Sequence, residues 1–163
     1  MQYADVMRSD VAVENITFRR ATTEELSVAA GFWLAMYVEI GMFAEADFQA
    51  GWRERFVRYF ETRSKTGEAA YFVAVDGDRV VATAGAMLRD GYPSVIHGLR
   101  FGYILGVYVL PEYRSHGLAK RLTQEAVGYL RAAGARSIRL HASNAGRPIY
   151  EKLGFTPTNE MQL

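Results

Sequence analysis

The chain has 163 residues, half of them hydrophobic, with a formal net charge of +1 and no cysteine. That length suits one compact domain over 1–163, with a core large enough to stand without metals or staples. Near-neutrality argues against a general nucleic-acid binder, whose phosphate contacts need a concentrated basic surface, and the missing cysteine excludes disulfides, thiolate metal sites and a cysteine nucleophile.

Residues 1–10 carry charges and no apolar run, so they read as a flexible extension rather than a secretory signal. No stretch reaches the ~18 apolar residues of a membrane span, so a cytoplasmic protein without a membrane partner is the expectation. Residues 11–20 alternate loosely and read as a first strand. Thr22 and Thr23 ahead of Glu25 resemble a helix start, because a hydroxyl can accept a free amide of the first turn. The helix should run from about 24 to 40, with Leu26, Ala29, Ala30, Trp33, Leu34 and Tyr37 at helical spacing, and end at Gly41. A second helix is expected over about 45–63, with Phe48, Trp52, Phe56 and Phe60 on one face, an aromatic stripe that reads as core.

Residues 69–75 and 79–88 read as two strands joined by Asp76-Gly77-Asp78, a hairpin signal because glycine accepts the positive φ of the turn. Residues 89–100 form a loop. The run 101–110 is continuously apolar, as expected of a strand buried on both faces, and Pro111 stops it. A helix over 117–133 has Leu118, Leu122, Ala126 and Leu130 in one row and Gly134 as its cap. A strand over 137–142, a short helix over 148–153 closed by Gly154, and one or two short strands over 155–163 complete the chain. The order β-α-α-β-β-β-α-β-α-β makes an α/β or α+β domain, a mixed sheet with helices on its faces.

Two segments carry chemistry. In the first, a buried strand ends at Pro111, a polar turn with Arg114 and Gly117 follows, and an amphipathic helix begins at once. The first amides of that helix have no internal acceptor and sit at its positive end. Gly117 lets a bulky anion approach the main chain, so the turn suits a diphosphate, with Arg114 and Lys120 as charge-assisted partners; an ordinary β-α turn using glycine for geometry is the plainer alternative. The spacing is neither a Walker A loop nor Gly-x-Gly-x-x-Gly, which lowers the prior for kinases and dehydrogenases. In the second segment a strand ends at Ser143-Asn144, Pro148 opens a short helix, and Tyr150 lies within it. A phenol can donate a proton to a departing thiolate; packing the helix on the sheet is its simpler use. If the two strands lie side by side, their carboxyl ends can splay into a ligand slot.

Together the segments resemble the GNAT superfamily of N-acetyltransferases. Arg114-Ser-His-Gly117-Leu-Ala119 is similar to that family's Gln/Arg-x-x-Gly-x-Gly/Ala pyrophosphate loop, and Tyr150-Glu-Lys-Leu-Gly-Phe155 to its Tyr-Glu-Lys-Leu-Gly-Phe signature. The resemblance implies a mixed, mostly antiparallel, splayed sheet of six to seven strands with about four helices. It implies acetyl-CoA as co-substrate, between the fourth and fifth strands, with no metal. The main chain of Val107, Tyr108 and Val109 would pair with the pantetheine arm, and an amide near Val109 would face the acetyl carbonyl. The amides of Ser115, His116, Gly117, Leu118, Ala119 and Lys120 would hold the pyrophosphate. Tyr150 would be the general acid on the leaving thiolate, and the amine would attack directly, without an acyl-enzyme.

The sequence departs from the family in two respects. Many relatives carry Asn seven residues before this Tyr, where this chain has Ser143 with Asn144 next to it; both are candidate cofactor contacts. No acidic residue lies within 101–110, where some relatives place a base. The base is then Glu112, or Glu39, Glu45 or a water chain. Arg147 is a candidate phosphate or substrate ligand and His141 a candidate substrate contact, though each has a plainer structural use. Tyr103 and Tyr108 read as core or slot wall. The loops 41–47 and 89–100, with Met42, Phe43, Glu45, Asp47, Tyr92 and His97, suggest an acceptor site with apolar walls and some acidic character, compatible with a cationic amine. The expected acceptor is a small-molecule or peptide amine, a homodimer is possible, and a non-catalytic acyl-CoA sensor is the alternative function.

Overall fold

A computed structural model describes residues 15–91 and 98–160. The first strand is β1 (Ile16–Arg20), followed by α1 (Glu25–Glu39) and α2 (Trp52–Lys65). Then come β2 (Ala69–Asp76), β3 (Arg79–Asp90), β4 (Arg100–Val109), α3 (Leu118–Ala132), β5 (Ile138–Leu140) and α4 (Arg147–Lys152). The five strands form one sheet in the order β1-β2-β3-β4-β5. All neighbours are antiparallel except β4 and β5, which run parallel through Gly102–Ile138, Tyr103–Arg139 and Ile104–Leu140. A parallel pair needs a crossover on one face of the sheet, and α3 supplies it.

Local signals explain most boundaries. At the start of α1, the Glu25 amide donates to Thr22 Oγ1 (3.4 Å) and the Thr22 amide to the Glu25 carboxylate (2.8 Å), a reciprocal cap. The second expected helix divides. Glu45–Asp47 form a 3-10 turn in which Asp47 accepts the Ala44 amide at 2.8 Å. Gly51 then adopts φ 71° before α2 begins at Trp52, so Phe48 lies outside the helix it was expected to join.

Two further expectations need correction. β4 is not buried on both faces: its residues alternate between buried and half-buried. The α3 side is closed, and the other side meets α1 only in part. The strands expected over 155–163 are absent over 155–160, so among the described residues the sheet has five strands rather than six or seven. Pro157 lies in that stretch and has no amide to give a ladder. Residues 1–14, the loop positions Tyr92 and His97, and residues 161–163 lie outside the described residues.

The sheet separates two cores of different character. On one face, Leu118, Leu122, Ala126 and Leu130 of α3 pack on Ala82, Ala84, Ala86 and Ile104. Small residues on β3 let the helix lie close. A Cβ on Gly102 of β4 would sit 2.9 Å from Leu130 Cδ1 and 3.2 Å from Ala135 Cβ. On the other face, Leu26, Ala29 and Ala30 of α1 and Phe56 and Phe60 of α2 close on Tyr71. This side is aromatic and less completely filled.

Replacing Gly102 by Ala therefore forces α3 away from β4. Overpacking of this kind costs about 1–3 kcal/mol, and urea unfolding of Gly102→Ala should show a loss in that range.

Candidate active site

β4 carries one residue too many for its partner. Thr83 of β3 pairs with Tyr108, but Gly85, two residues on, pairs with Leu105, three residues back. The surplus makes a bulge at Gly106, which takes φ 58°. Two neighbours hold it. The buried Thr83 hydroxyl donates to the Gly106 carbonyl at 3.0 Å, fixing the direction of the Gly106–Val107 peptide. The Tyr71 ring crosses Gly85 and brings its hydroxyl against Gly106, where a Cβ would collide with it. That hydroxyl is buried without a hydrogen-bond partner, and burial pushes the phenol far up.

Past the bulge the sheet opens. β4 pairs with β5 at Gly102, Tyr103 and Ile104, so among the described residues Val107, Tyr108 and Val109 have no strand on that side. The turn after β4 is a 3-10 turn at Pro111–Tyr113, fastened by Tyr113 Oη donating to Asp76 at 2.7 Å. Ser115 adopts φ 68° and Gly117 φ 78°, after which α3 begins. The α3 N-terminus has no side-chain cap and no acidic residue in its first turn. Its leading amides are unclaimed by their own helix. Space above Gly117 is free: an added Cβ would meet nothing within 4 Å. Ser115, His116 and Lys120 are exposed, Leu118 is buried, and Ala119 is half-buried. The His116 ring turns back to the Tyr113 carbonyl at 3.3 Å.

Arg114 is used otherwise than expected. Its Nε donates to the Val109 carbonyl at 3.0 Å, and its other nitrogens grip Glu39 at 2.7 and 2.8 Å. Tyr108 Oη donates to the same carboxylate at 3.2 Å. The Arg114 hydrogen bond holds the Glu39 carboxyl below its ordinary range. The end of α1 is thus tied to the turn after β4, a link that spans 75 residues of sequence. Glu112 pairs with Arg79 at 2.9 Å, and its own backbone amide and that pairing lower its pKa. Such a carboxylate accepts a proton poorly, so Glu112 fits the role of base badly.

On α4, Tyr150 is buried among the strand ends. It packs on Gly146, where a Cβ would meet its ring at 2.9 Å, and edge-on to Phe155, 6.1 Å between centroids. Burial pushes its phenol up to about 12. It lines a cavity of about 640 Å³ with Tyr103, Leu140, His141 and Arg147. Within that cavity Tyr103 Oη is hydrogen-bonded to His141 Nδ1. Ser143 closes the turn into α4: its hydroxyl accepts the Gly146 amide at 3.1 Å. Asn144 is exposed. Among the described residues no group of three or more His, Asp or Glu is placed to hold a metal.

The arrangement is a parted strand pair with an uncapped helix N-terminus on one side and a buried phenol on the other. The family model described as acetyltransferase (GNAT) family matches residues 37–155. The chain belongs to the GNAT acetyltransferase family. Among solved GNAT-like structures, a predicted acetyltransferase from Clostridium acetobutylicum, crystallised with acetyl-CoA, superposes with a TM-score of 0.80. It is 25% identical, over 91% of this chain and 94% of that one. A GCN5-related N-acetyltransferase from Ralstonia eutropha JMP134 gives 0.79 and 27%, over 91% and 97%. A mycothiol acetyltransferase of Geodermatophilus obscurus is 28% identical over 156 residues, 92% of this chain and 46% of that protein. The chain spans about half the length of the curated relatives it matches.

Read as a GNAT site, the residues that sequence pointed to fall in two groups. The strand Val107–Val109 and the turn 114–120 lie where β4 has parted from β5, and Tyr150 lines the cavity beside Tyr103 and Leu140 on the paired part of the two strands, whereas Glu112 and the Arg114 guanidinium are committed to Arg79 and Glu39. The bulge at Gly106 and its support by Thr83 and Tyr71 were missed. The signal available was a glycine inside an apolar strand run, which marks a bulge or a close backbone approach.

A Gly106→Ala variant should lose about 2 kcal/mol or more in chemical denaturation, from backbone strain and from the Tyr71 hydroxyl. Adding Tyr71→Phe removes the steric part and should return some of that stability. Strict additivity of the two changes would show that Tyr71 does not press on the bulge.

Proposed function

We propose that the chain transfers the acetyl group of acetyl-CoA to a primary amine by direct attack. The observation that carries this reading is the parting of β4 from β5 beyond Ile104, between the uncapped N-terminus of α3 and the buried Tyr150. The fit to acetyl-CoA rests on three features. The leading α3 amides offer a diphosphate hydrogen-bond donors and the positive end of the helix dipole. Gly117 leaves the approach open, and Lys120 adds a positive charge beside it. The unpaired edge at Val107, Tyr108 and Val109 offers main-chain donors and acceptors to an amide-bearing arm, as an added strand would take them. When bound, acetyl-CoA supplies an acetyl group already activated as a thioester.

The chain's own residues then do three things. The bulge turns a main-chain amide near Val109 toward the carbonyl oxygen, where a fixed donor stabilises developing negative charge. Arg114 braces this strand end through the Val109 carbonyl rather than reaching for phosphate. Tyr150 presents its hydroxyl to the leaving sulfur. A phenol at about 12 holds its proton more tightly than an ordinary thiol near 8.5, so complete transfer to sulfur is uphill by about 5 kcal/mol. Tyr150 therefore acts first by hydrogen-bonding the sulfur as negative charge grows there. With Glu39 and Glu112 both paired to arginine, the proton released by the amine is relayed through water and ends on the sulfur, giving the free thiol.

Acetyl transfer followed by thiol release over an amine panel tests the reading. Tyr150→Phe should lower kcat by about 10²-fold or more and leave the KM for acetyl-CoA nearly unchanged. Glu112→Gln should change kcat by less than about threefold, since the residue sits on Arg79. Binding of acetyl-CoA with no turnover on any amine would leave a sensor in place of an enzyme.

The phenol also makes a pH prediction. Burial raises the folded-state value above the unfolded one, so the contribution of Tyr150 to stability is fully present below about pH 10. It is lost as pH rises through about 12. Between these limits the parent should lose more stability than Tyr150→Phe, by up to about 2–3 kcal/mol, in urea titrations across the range. Activity should show no alkaline limb from this group below about pH 11.

A further inference from the structure

The aromatic side of the sheet holds a cavity of about 540 Å³, walled by α1, α2, the segment between them, and the β3–β4 surface. Its size is that of a small-molecule site. Trp33 is the hub of its wall, with ring centroids 5.0 Å from Tyr37, 5.9 Å from Phe48 and 6.4 Å from Trp52. At its rim Phe43 is 47% exposed, an unusual placement for a large apolar side chain and one that a ligand body would cover.

One end of the cavity reaches the bulge. Leu105, which precedes Gly106, is part of its wall. Trp33 Cδ1 lies 3.5 Å from where a Cβ on Gly106 would stand. Three polar side chains of the wall, Asp47, Gln49 and Arg55, already have partners, which leaves the Tyr37 and Tyr59 hydroxyls as its side-chain hydroxyl groups. Asp47 accepts the Ala44 amide at 2.8 Å. Arg55 donates to the Ala50 carbonyl at 2.7 Å and to Gln49 Oε1 at 3.4 Å. A ligand rich in hydroxyls would find few partners here and would leave its polar groups unpaired. A flat apolar ring would find edges and faces of other rings on every side.

We infer that this cavity binds the body of the acceptor, and that the acceptor is a primary amine on a short arm from an aromatic ring. The inference rests on the acetyl-transfer reading for what happens at Gly106, but its binding half does not. The ring packs in the cavity against the cluster of Trp33, Phe48 and Trp52, and the amine points along Leu105 to the bulge. Sugars and polyamines fit less well: the first need more hydroxyl partners than this apolar wall offers, and the second need several carboxylates where the wall has only Asp47.

The probes are 2-phenylethylamine, glucosamine and spermidine. The chain has two tryptophans, and both Trp33 and Trp52 line this cavity, so tryptophan fluorescence reports its occupancy without acetyl-CoA. Saturable quenching or a spectral shift with 2-phenylethylamine, and none with the other two, is expected. In acetyl transfer, kcat/KM for 2-phenylethylamine should exceed that for glucosamine and spermidine by on the order of 100-fold. Phe43→Ala should raise the KM for 2-phenylethylamine about tenfold while the KM for acetyl-CoA stays the same. Equal or better use of glucosamine or spermidine, no fluorescence response to 2-phenylethylamine, or an unchanged KM in Phe43→Ala would overturn the inference and leave the acetyl-transfer reading standing. A fluorescence response without turnover on any amine would uphold the cavity's preference and count against acetyl transfer itself.

Discussion

One surplus residue in β4, held as a bulge at Gly106, sets the geometry of everything around it. Antiparallel pairing with β3 is in register on both sides of the bulge but offset by one residue across it. That offset turns the strand's far half. Before the bulge Leu105 faces the aromatic side, and beyond it Tyr108 still does, despite a spacing of three. The same bend carries the end of β4 away from β5, whose pairing stops at Ile104. Two side chains from the neighbouring strands keep it in place, Thr83 through a hydrogen bond and Tyr71 through contact. The unsatisfied Tyr71 hydroxyl is a buried polar group without a partner, and such groups collect at strained, functional places.

The two faces of the sheet serve different ends. The α3 face is built mainly from alanines and aliphatics, with Phe72 and Tyr113 among them, packed without room for one more methyl at Gly102. It holds the helix whose uncapped first amides face the turn after β4, and rigidity there keeps those amides in place. The α1–α2 face is built from rings that leave space between them. Rings cannot interdigitate as tightly as short aliphatics, and the Glu45–Asp47 turn with Gly51 keeps Phe48 off the helix, on the cavity wall. The difference between a closed core and an open cavity is thus a difference in side-chain shape on the two faces.

The Glu39–Arg114 pair joins the two halves. Both side chains are substantially exposed, so the pair adds little to stability. Its effect is positional: it fixes the end of α1, and with it the start of the cavity segment, against the turn that precedes α3. It also takes from that turn the guanidinium that pattern alone assigns to phosphate, leaving the main-chain amides as the donors the turn still offers. Exposed Glu112 pairs with Arg79 of β3 in the same way, at 2.9 Å.

What the sequence determined by itself is local. Periodicity placed α1, α3 and the β2–β3 hairpin to within a residue or two, since the spacing of apolar residues along an amphipathic element is a property of the chain. The Arg114–Ala119 turn and the Tyr150–Phe155 signature were legible because each depends on neighbours in sequence. Tertiary structure alone decided the rest. The bulge is a mismatch between two strands and exists only once both are paired. The partners of Arg114 and Glu112 lie on other elements, and charge at an exposed site goes to whichever opposite charge the fold brings nearest. The division of the second expected helix turned on one carboxylate capping a turn and one glycine at positive φ, against an aromatic periodicity that suits helix equally well. The lack of a strand over 155–160 follows from pairing as well: apolar residues near Pro157 make a strand only if a neighbour accepts a chain with no amide to give there.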